Sequence, residues 1–359
     1  MPALTLRDVA TQCGVSTATV SAVVNGAEWV SPATRVRVQR AVDEMGYRPN
    51  QFARGLKTQR GYAVGVIVSD LTNPFFTEVV RSLSHALHAG GRAHFLCDTD
   101  HRSDVGESSL RMLADNHVVG LVLIVDSVPG DAVRRYVRRR GHVPMVAIER
   151  DYDVDVVSTL LVDSELGAYT MVRHLLGQGH RRIALITGPT LGGGSATFGR
   201  EQRLQGYQRA LRDVGVDPDP SLVVEGNFRY AGGQHAMRRL LATGRIPDAV
   251  FASNDMMALG AMSVLRDAGL RIPDDIAIAG FDDIPPAALT TPGLTTMAMP
   301  MSELGRAAAQ MLGERLTGPT LEATRRVFDP QLVVRHSSLR RATEGVGRHP
   351  GMPSVVERV

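Results

Sequence analysis

Ten short apolar runs alternate with longer amphipathic stretches over most of this chain. The runs predict strands over residues 62–68, 93–97, 120–125, 145–148, 156–160, 183–187, 222–224, 249–252, 276–280 and 294–297. Apolar residues at helical spacing predict helices over residues 76–90, 105–116, 131–140, 165–178, 199–214, 232–243, 255–268 and 302–316. This alternation is typical of parallel sheets covered by helices. Ten strands exceed one small sheet, so we expect two similar halves with a ligand cleft beyond the carboxyl ends of the strands.

Composition excludes several classes of protein. A chain of 359 residues, 43% hydrophobic and 21% charged, is long enough for two or three folded domains. It shows no membrane-spanning apolar run and no signal-peptide pattern, so we expect a cytoplasmic protein. Cys13 and Cys97 form no CxxC or Cys/His cluster, and no third ligand accompanies His85 and His88. We therefore expect no disulfide framework, no metal site and no cofactor.

The charge is concentrated at the two ends of the chain. Residues 1–60 hold 8 Lys and Arg against 4 Asp and Glu, whereas residues 61–339 hold 28 against 31. Residues 340–359 hold 4 against 2. A small basic unit before a slightly acidic body indicates contact with a nucleic acid at the N-terminal end.

The first thirty residues carry the start and stop signals of two short helices. Thr5 and Asp8 form a capping-box pattern before apolar residues at helical spacing, and Gly14 stops that helix. Ser16 is placed to cap a second helix over Thr17–Val24. Two short helices joined by a turn that contains glycine are the helix-turn-helix pattern.

A third helix is predicted to complete this unit. Ser31 and Pro32 supply its cap and first turn, and Gly46 its C-terminal stop. Its apolar positions are Val36, Val38, Ala41, Val42 and Met45. From the pattern by itself, a small helical bundle without a ligand remains the alternative.

The exact residues of this segment are more informative than its helical pattern. Its motifs are Thr5-Leu6-Arg7-Asp8-Val9-Ala10, Gly14-Val15-Ser16, Thr19-Val20-Ser21, Val24-Asn25-Gly26, Val30-Ser31, Thr34-Arg35 and Gly46-Tyr47-Arg48-Pro49-Asn50. Together they closely resemble the DNA-binding headpiece of the LacI (lactose repressor)/GalR-type family of transcriptional regulators. The resemblance implies that the second helix lies in the major groove of operator DNA.

The resemblance also implies which headpiece residues contact DNA. Base-reading positions fall on Thr17, Ala18 and Ala22. Positions at or near the phosphate backbone fall on Thr5, Ser16, Thr19, Ser21, Asn25, Ser31, Thr34, Tyr47 and Asn50. Because the two alanines offer no hydrogen bonds, we expect weak direct reading and more discrimination through DNA shape.

Residues 50–61 resemble the hinge helix and linker of that family. Leu56 matches the apolar wedge that enters the minor groove, and Lys57 matches a neighbouring cation. Gly55 weakens the helix by roughly 1 kcal/mol, which fits a helix that forms on DNA. A plain flexible linker is the alternative.

The body resembles the periplasmic-binding-protein-like core of the same regulators. The motifs that carry this resemblance are Asp70-Leu71-Thr72-Asn73-Pro74-Phe75-Phe76, His174-Leu175-Leu176, Gly179-His180, Ile183-Ala184, Phe281-Asp282-Asp283 and Leu294-Thr295-Thr296. The implied fold class is α/β: an all-α helix-turn-helix headpiece over residues 1–49, then a two-lobed core of doubly wound parallel sheets over 62–339. We expect one lobe at about 62–162 and 297–326, the other at about 163–296 and 327–339, and a flexible tail over 340–359.

The same resemblance implies an effector site between the lobes. Its expected members are Asn73, Phe75, Phe76, Glu149, Arg150, Arg203, Phe228, Asn254 and Asp282. Carboxylates, amides and guanidinium groups make paired hydrogen bonds to vicinal hydroxyls, and aromatic faces pack on a sugar ring. Glu149 is longer than the usual aspartate and Met299 replaces a frequent glutamine, which predicts an altered ligand shape. The loop over residues 192–195 should border the cleft.

The sequence therefore predicts a sequence-specific DNA-binding regulator, expected to be a repressor, whose operator affinity is controlled by a sugar or sugar derivative. We expect a homodimer on a pseudo-palindromic operator, nucleoid-associated, with no coiled-coil tetramer because the tail lacks heptads. No catalytic cluster is evident, so an enzyme is not expected. The alternatives are a co-repressed regulator responding to a nucleobase or nucleoside and, less favoured, a solute-binding protein that does not bind DNA.

Overall fold

The chain forms two compact units, the three N-terminal helices in one and the parallel sheets in the other. The computed structural model describes residues 4–24, 26–47, 63–125, 127–141, 143–152, 154, 156–190, 198–244, 246–318 and 322–340. No helix within these ranges is both long and apolar enough to span a membrane.

The first unit contains α1 (Leu6–Cys13), α2 (Thr17–Val24) and α3 (Pro32–Met45), as predicted. The Asp8 carboxylate accepts a hydrogen bond from the Thr5 backbone N–H at 2.7 Å, which confirms the capping box. Gly14 and Gly46 end α1 and α3 in left-handed conformations, φ 61° and 66°, that glycine adopts without strain.

The core of this unit is an apolar cluster that draws on all three helices. Its buried members are Val9, Ala10, Cys13, Val20, Ala22, Val23, Val30, Val38, Ala41, Val42 and Tyr47. Val36, one of the apolar positions of the predicted third helix, lies outside this core with its side chain 69% exposed. Residues two positions apart on a helix differ by about 200° around its axis, so Val36 and Val38 lie on opposite faces of α3.

The second unit begins with a six-stranded sheet in the order β11-β5-β4-β3-β1-β2. Its strands are β1 (Ala63–Val68), β2 (Ala93–Asp98), β3 (Gly120–Ile124), β4 (Met145–Ile148), β5 (Val157–Val162) and β11 (Arg325–Phe328). The pairs β1–β3, β3–β4, β4–β5 and β5–β11 are parallel. We call this sheet the first lobe, together with α4 (Pro74–Ala89), α5 (Ser103–Asp115), α6 (Gly130–Arg140) and α12 (Met301–Thr317).

A four-stranded parallel sheet, β7-β6-β8-β9, forms the second lobe. Its strands are β6 (Ile183–Thr187), β7 (Val223–Glu225), β8 (Ala249–Ala252) and β9 (Ala277–Ala279). Its helices are α7 (Ser164–Gly177), α8 (Phe198–Arg212), α9 (Tyr230–Ala242), α10 (Asp255–Asp267) and the short α11 (Pro285–Leu289). Separately, β10 (Thr296–Ala298) pairs antiparallel with β12 (Gln331–Val333).

All ten predicted strands and eight predicted core helices have an observed counterpart with ends within two residues. Prediction missed β11, β12 and α11. Three of the four residues of β11 are exposed, as suits the edge of a sheet, so it lacks the apolar run that identified the other strands.

Candidate functional site: a cleft at the strand ends

Polar residues of the second unit gather where parallel strands end. In the first lobe, Ser69 follows β1, His101 lies shortly after β2 and Glu149 follows β4. In the second lobe, Asn254 comes just after β8 and Asp282 just after β9. The carboxyl ends of both sheets thus face one cleft, the usual ligand site of such sheets. It encloses about 100 Å³. A single water needs roughly 10–15 Å³ on this scale, so the cleft suits a small molecule.

Eight of the nine residues predicted for the effector site line this cleft. They are Asn73, Phe75, Phe76, Glu149, Arg203, Phe228, Asn254 and Asp282, and Met299 lies with them. Arg150 is the ninth, and its guanidinium lies over the Tyr152 ring at 4.9 Å from the centroid. Glu149 has a left-handed backbone, φ 59°, which turns the chain after β4 and separates the two neighbouring side chains. Arg150 is therefore not among the described lining residues, and its role in the effector site stays a prediction.

Sequence reasoning missed seven lining residues: Ser69, His101, Ile124, Val125, Ile148, Gly199 and Arg200. Two of them carried a usable signal. Arg200 lies three residues before Arg203 on α8 and so shares its face. His101 comes three residues after β2 in the first lobe, where a strand end was already predicted to face the cleft.

The charged centre of the cleft consists of Arg203, Glu149 and Asp282. Arg203 is buried, donates to the Ser253 backbone carbonyl at 2.8 Å and lies over the Phe281 ring at 4.1 Å. Its Nε, also buried, has no hydrogen-bond partner among the described residues. One guanidinium group therefore faces two carboxylates with part of its donor capacity still unused.

The two carboxylates differ in how far the protein satisfies them. Glu149 accepts a hydrogen bond at 2.5 Å from the backbone N–H of Val162, so one of its oxygens is already used. Asp282 is only 4% exposed, and although its backbone carbonyl accepts from the Met299 N–H, no described residue donates a hydrogen bond to its carboxylate. A buried carboxylate without such bonds is costly, which makes Asp282 the position most in need of a ligand.

Burial changes the protonation of this pair. Burial raises the pKa of Glu149 to about 7, although Arg203 and the Val162 N–H act to lower it. Burial also raises the pKa of Asp282 well above its usual range, opposed by Arg203 and assisted by repulsion from Asp255 and Glu149. With its pKa near 7, Glu149 is partly protonated at neutral pH, so this side chain can donate as well as accept a hydrogen bond.

Aromatic rings form the apolar walls. Phe75 and Phe76 meet edge to face with centroids 5.2 Å apart, and Phe76 meets His101 at 6.5 Å. On the second lobe the Phe228 ring packs against Gly188, where an added Cβ would lie 2.0 Å from the ring. Flat apolar walls beside polar groups suit a ring-shaped ligand with a polar rim.

Two amides hold the loops that carry these rings. The Asn73 Oδ1 caps α4 by accepting from the Phe75 N–H at 3.1 Å. The Asn254 Oδ1 caps α10 by accepting from Met257 N–H at 2.9 Å, and its Nδ2 donates to the Phe228 carbonyl at 2.8 Å. Phe228 has φ 62° and Asp282 has φ 117°. Such positive values are unfavourable for residues other than glycine, and residues that adopt them are frequent at functional sites.

The headpiece residues predicted to contact DNA fall into four groups. Ser16, Thr17, Ala18, Ser31 and Thr5 are exposed, and Thr19, Ser21 and Thr34 are half-buried. Ala22 and Tyr47 belong to the headpiece core with 9% and 8% exposure, so little of either side chain is left for DNA. Asn25, Asn50, Leu56 and Lys57 lie outside the described residues, as do the 192–195 loop and the 341–359 tail.

Exposed hydroxyls cap two helices of this unit. The Ser16 Oγ accepts from the Thr19 N–H at 3.1 Å, and the Ser31 Oγ accepts from the Thr34 N–H at 3.4 Å. Each also pairs with the threonine hydroxyl at 2.9 Å. Such helix N-termini, carrying hydroxyls and a positive dipole end, are suited to phosphate groups.

A helix-turn-helix unit joined to a two-lobed α/β unit with a polar cleft defines a ligand-responsive DNA-binding protein. Residues 5–50 match bacterial regulatory proteins of the lacI family, and residues 172–338 match the periplasmic binding protein-like domain. The ribose operon repressor of Escherichia coli (strain K12) is 37% identical over 336 residues, 93% of this chain and 99% of that relative. The chain belongs to the LacI family of transcriptional regulators and is not an enzyme.

Other relatives and solved structures agree. The HTH-type transcriptional repressor PurR of Aliivibrio fischeri (strain MJ11) is 34% identical over 341 residues, 94% of this chain and 99% of that protein. The lac repressor dimer bound to operator and the anti-inducer ONPF has a TM-score of 0.82 at 27% identity, covering 94% of this chain and 100% of that one. The transcriptional regulator CelR–cellobiose complex has a TM-score of 0.70 at 36% identity, covering 93% and 99%.

Proposed function

We propose that this chain is a homodimeric repressor whose operator affinity is set by an uncharged monosaccharide, or a close relative of one, bound in the cleft. The observation that carries the proposal is the joint placement of Arg203, Glu149 and Asp282 beside the Phe75–Phe76 pair. These groups come from both lobes, so one ligand bridges them and favours one arrangement of the lobes over another. That differential affinity is what links the ligand to DNA binding.

Hydrogen-bond accounting favours a polyhydroxyl ligand. Among the described residues, none donates to the Asp282 carboxylate, one Glu149 oxygen accepts from the Val162 N–H, and the Arg203 Nε–H has no partner. Each sugar hydroxyl both donates and accepts, so adjacent hydroxyls satisfy a carboxylate and a guanidinium together. The aromatic walls pack against the C–H face of the ring.

Charge favours a neutral ligand over a phosphorylated one. Burial raises the pKa values of Glu149 and Asp282, which means that the cleft disfavours negative charge. A ligand phosphate would add negative charge next to them, and Arg200 is the only other lining arginine among the described residues. The names of two relatives, the ribose operon repressor and the CelR–cellobiose complex, also favour a sugar.

For the DNA side, we propose that Thr17 and Ala18 face the bases and that exposed hydroxyl caps such as Ser16 contact phosphates. A pair of headpieces related by two-fold symmetry fits a pseudo-palindromic operator. With Ala18 silent in hydrogen bonding and Ala22 buried, most sequence discrimination comes from DNA shape and the hinge. Substituting guanines opposite α2 of a bound operator should therefore change affinity little.

Isothermal titration calorimetry on the full chain tests the effector. D-ribose, cellobiose, ribose 5-phosphate, adenine and adenosine are titrated separately into wild type, Asp282→Asn and the exposed control Asp267→Asn. A neutral sugar should bind wild type and the control but not Asp282→Asn. Binding of adenine or adenosine instead identifies the nucleobase alternative, and binding of ribose 5-phosphate contradicts the charge argument.

A gel shift with the DNA upstream of the gene tests regulation, with and without the sugar that binds. The affinity should fall steeply as salt rises, because phosphate contacts release counterions. Sedimentation velocity should give a dimer. Salt-independent binding, or a complex that no ligand alters, would contradict the proposed function.

A further inference from the structure

One arginine of the second lobe is ion-paired with two aspartates of the first lobe. Arg229 immediately precedes α9, whereas Asp70 follows β1 and Asp100 follows β2. The Arg229 Nε donates to the Asp70 Oδ2 at 3.1 Å, and its terminal nitrogen donates to the Asp100 Oδ1. We call these three residues the latch.

The two carboxylates of the latch have different surroundings. The Asp70 side chain is 3% exposed, and its other oxygen accepts from the Thr72 N–H at 2.8 Å. Burial acts to raise the pKa of Asp70, but bonds from Thr72 and Arg229 outweigh it and the pKa is lowered. Asp100 is 67% exposed. Losing Arg229 would therefore leave a buried, charged Asp70 without its cation, and opening of the lobes would hydrate it.

The latch is adjacent to the cleft without lining it. Arg229 follows Phe228, whose carbonyl is held by Asn254, and Asp100 precedes His101, whose ring meets Phe76. The His101 Nε2 lies 3.9 Å from the Asp70 Oδ2. None of the three latch residues is among the described residues that line the cleft. In each lobe a residue that lines the cleft, His101 or Phe228, is therefore adjacent in sequence to a latch residue.

We propose that Arg229 is a positioning residue that holds the two lobes together beside the cleft, and so sets the affinity for any effector without touching it. The first half of this proposal concerns the protein without ligand. The second half rests on the proposed function. Because the latch acts through closure, its loss should weaken every ligand by the same factor and leave the order of preference unchanged.

Hydrogen–deuterium exchange of the ligand-free full chain tests the first half. The variants are Arg229→Gln, the charge-retaining Arg229→Lys, and a control, Arg271→Gln. Arg271 makes a similar two-bond pair with Asp275, at 3.0 and 2.7 Å, but both residues lie in the second lobe. Arg229→Gln should raise exchange over residues 145–150 and 279–283, segments on opposite lobes that include the cleft residues Glu149 and Asp282 and share no described hydrogen bond or ion pair with Arg229. Exchange in Arg229→Lys should lie between that of wild type and that of Arg229→Gln, because a lysine ammonium cannot bond both carboxylates as the planar guanidinium group does.

Unchanged exchange at those two segments, or a change confined to residues beside Arg229, would overturn the proposal. An equal rise in Arg271→Gln would also overturn it, since that would show a general loss of stability.

Calorimetry with D-ribose and cellobiose tests the second half. Arg229→Gln should bind each sugar that wild type binds about tenfold more weakly, the loss that 1.4 kcal/mol represents. A loss for one sugar and not another would instead make Arg229 a ligand contact and refute the latch. If wild type binds neither sugar, the proposed effector fails, while the exchange experiment still decides the latch.

Discussion

The polar side chains that we expect to bind a partner are exposed in the headpiece and buried in the cleft. In the headpiece, Ser16 and Ser31 are exposed, and each is already bonded to a residue three positions along its own chain. In the cleft, Glu149, Arg203 and Asp282 come from distant parts of the sequence, lie in a largely buried site and retain unused bonding capacity.

The two regions differ in the free-energy cost of leaving their polar groups without a partner. The hydroxyls of the headpiece lose little when DNA is absent, because water and local caps satisfy them, so they add contact without a large cost in the free protein. The cleft keeps charge in a poorly hydrated place, which is costly until a ligand completes it. Substitutions should therefore have large effects in the cleft, and small but separable effects in the headpiece.

The largest effect is expected for Arg203→Met. The change removes a buried cation whose charge favours the ionised forms of Glu149 and Asp282, together with its hydrogen bond to the Ser253 carbonyl, and we expect a cost of about 3 kcal/mol. Urea unfolding measures the free energy of the core transition, and calorimetry measures the loss of sugar binding. Arg212→Met, at the exposed end of the same helix, is the control. Equal midpoints for the two variants would show that the charged cluster stores no such energy.

A pair of valines on α3 tests whether the headpiece depends on its own small core. Val38 is fully buried and Val36 is 69% exposed. Val38→Ala should cost about 1–3 kcal/mol in headpiece stability and weaken operator binding, while sugar binding stays unchanged. Val36→Ala should stay within about 0.5 kcal/mol of wild type. Gel shifts and calorimetry on both variants measure these effects, and equal losses would refute the core assignment.

Glu149→Gln tests the cost of the cleft carboxylate through pH. The folded pKa of about 7 lies above the ordinary 4.5, so the folded state holds a proton that the unfolded state releases. This stabilisation is present in full below pH 4.5 and is lost as the pH rises through 7. Glutamine keeps the acceptor for the Val162 N–H and does not titrate. The unfolding free energy of the variant relative to wild type should therefore rise by about 1–3 kcal/mol between acid and mildly alkaline pH. A difference independent of pH would contradict the raised pKa.

The smallest effect separates two roles of Ser16. Ser16→Ala removes the α2 cap and should cost about 1 kcal/mol of headpiece stability. Ser16→Asp keeps a capping oxygen, and so retains stability, but places a negative charge beside DNA phosphates. In thermal unfolding, Ser16→Ala should have a lower unfolding temperature than Ser16→Asp. In the gel shift, Ser16→Asp should bind the operator more weakly than wild type. If aspartate binds like wild type, Ser16 does not approach a phosphate.

The sequence predicts more of the headpiece than of the cleft, because the headpiece is governed by local signals. Caps, glycine stops and apolar residues at helical spacing act within a few residues of one another, although the apolar Val36 of α3 lies outside the core. Ala22 shows the limit: a position implied to read bases by resemblance is buried by the particular packing of this chain.

In the cleft, strand ends predict which residues gather but not which way each side chain points. Glu149 and Arg150 are neighbours, yet one backbone turn sends them to different surroundings. The pairing of Arg229 with two aspartates of the other lobe has no local signal, since it depends on how two sheets are brought together. β11 was missed because an exposed edge strand needs no apolar pattern.

The position of β11 and β12 has a consequence for synthesis of the protein. The headpiece helices pack on one another and are complete once residue 47 has left the ribosome, whereas the first lobe receives its edge strand only at Arg325–Phe328, and β10 waits for β12. Since domains fold as they emerge, nascent chains stalled before residue 325 should resist proteolysis in the headpiece but not throughout the core. A ribosome that stops between residues 47 and 325 therefore releases a chain that holds all three headpiece helices but lacks the β11 edge strand of the first-lobe sheet.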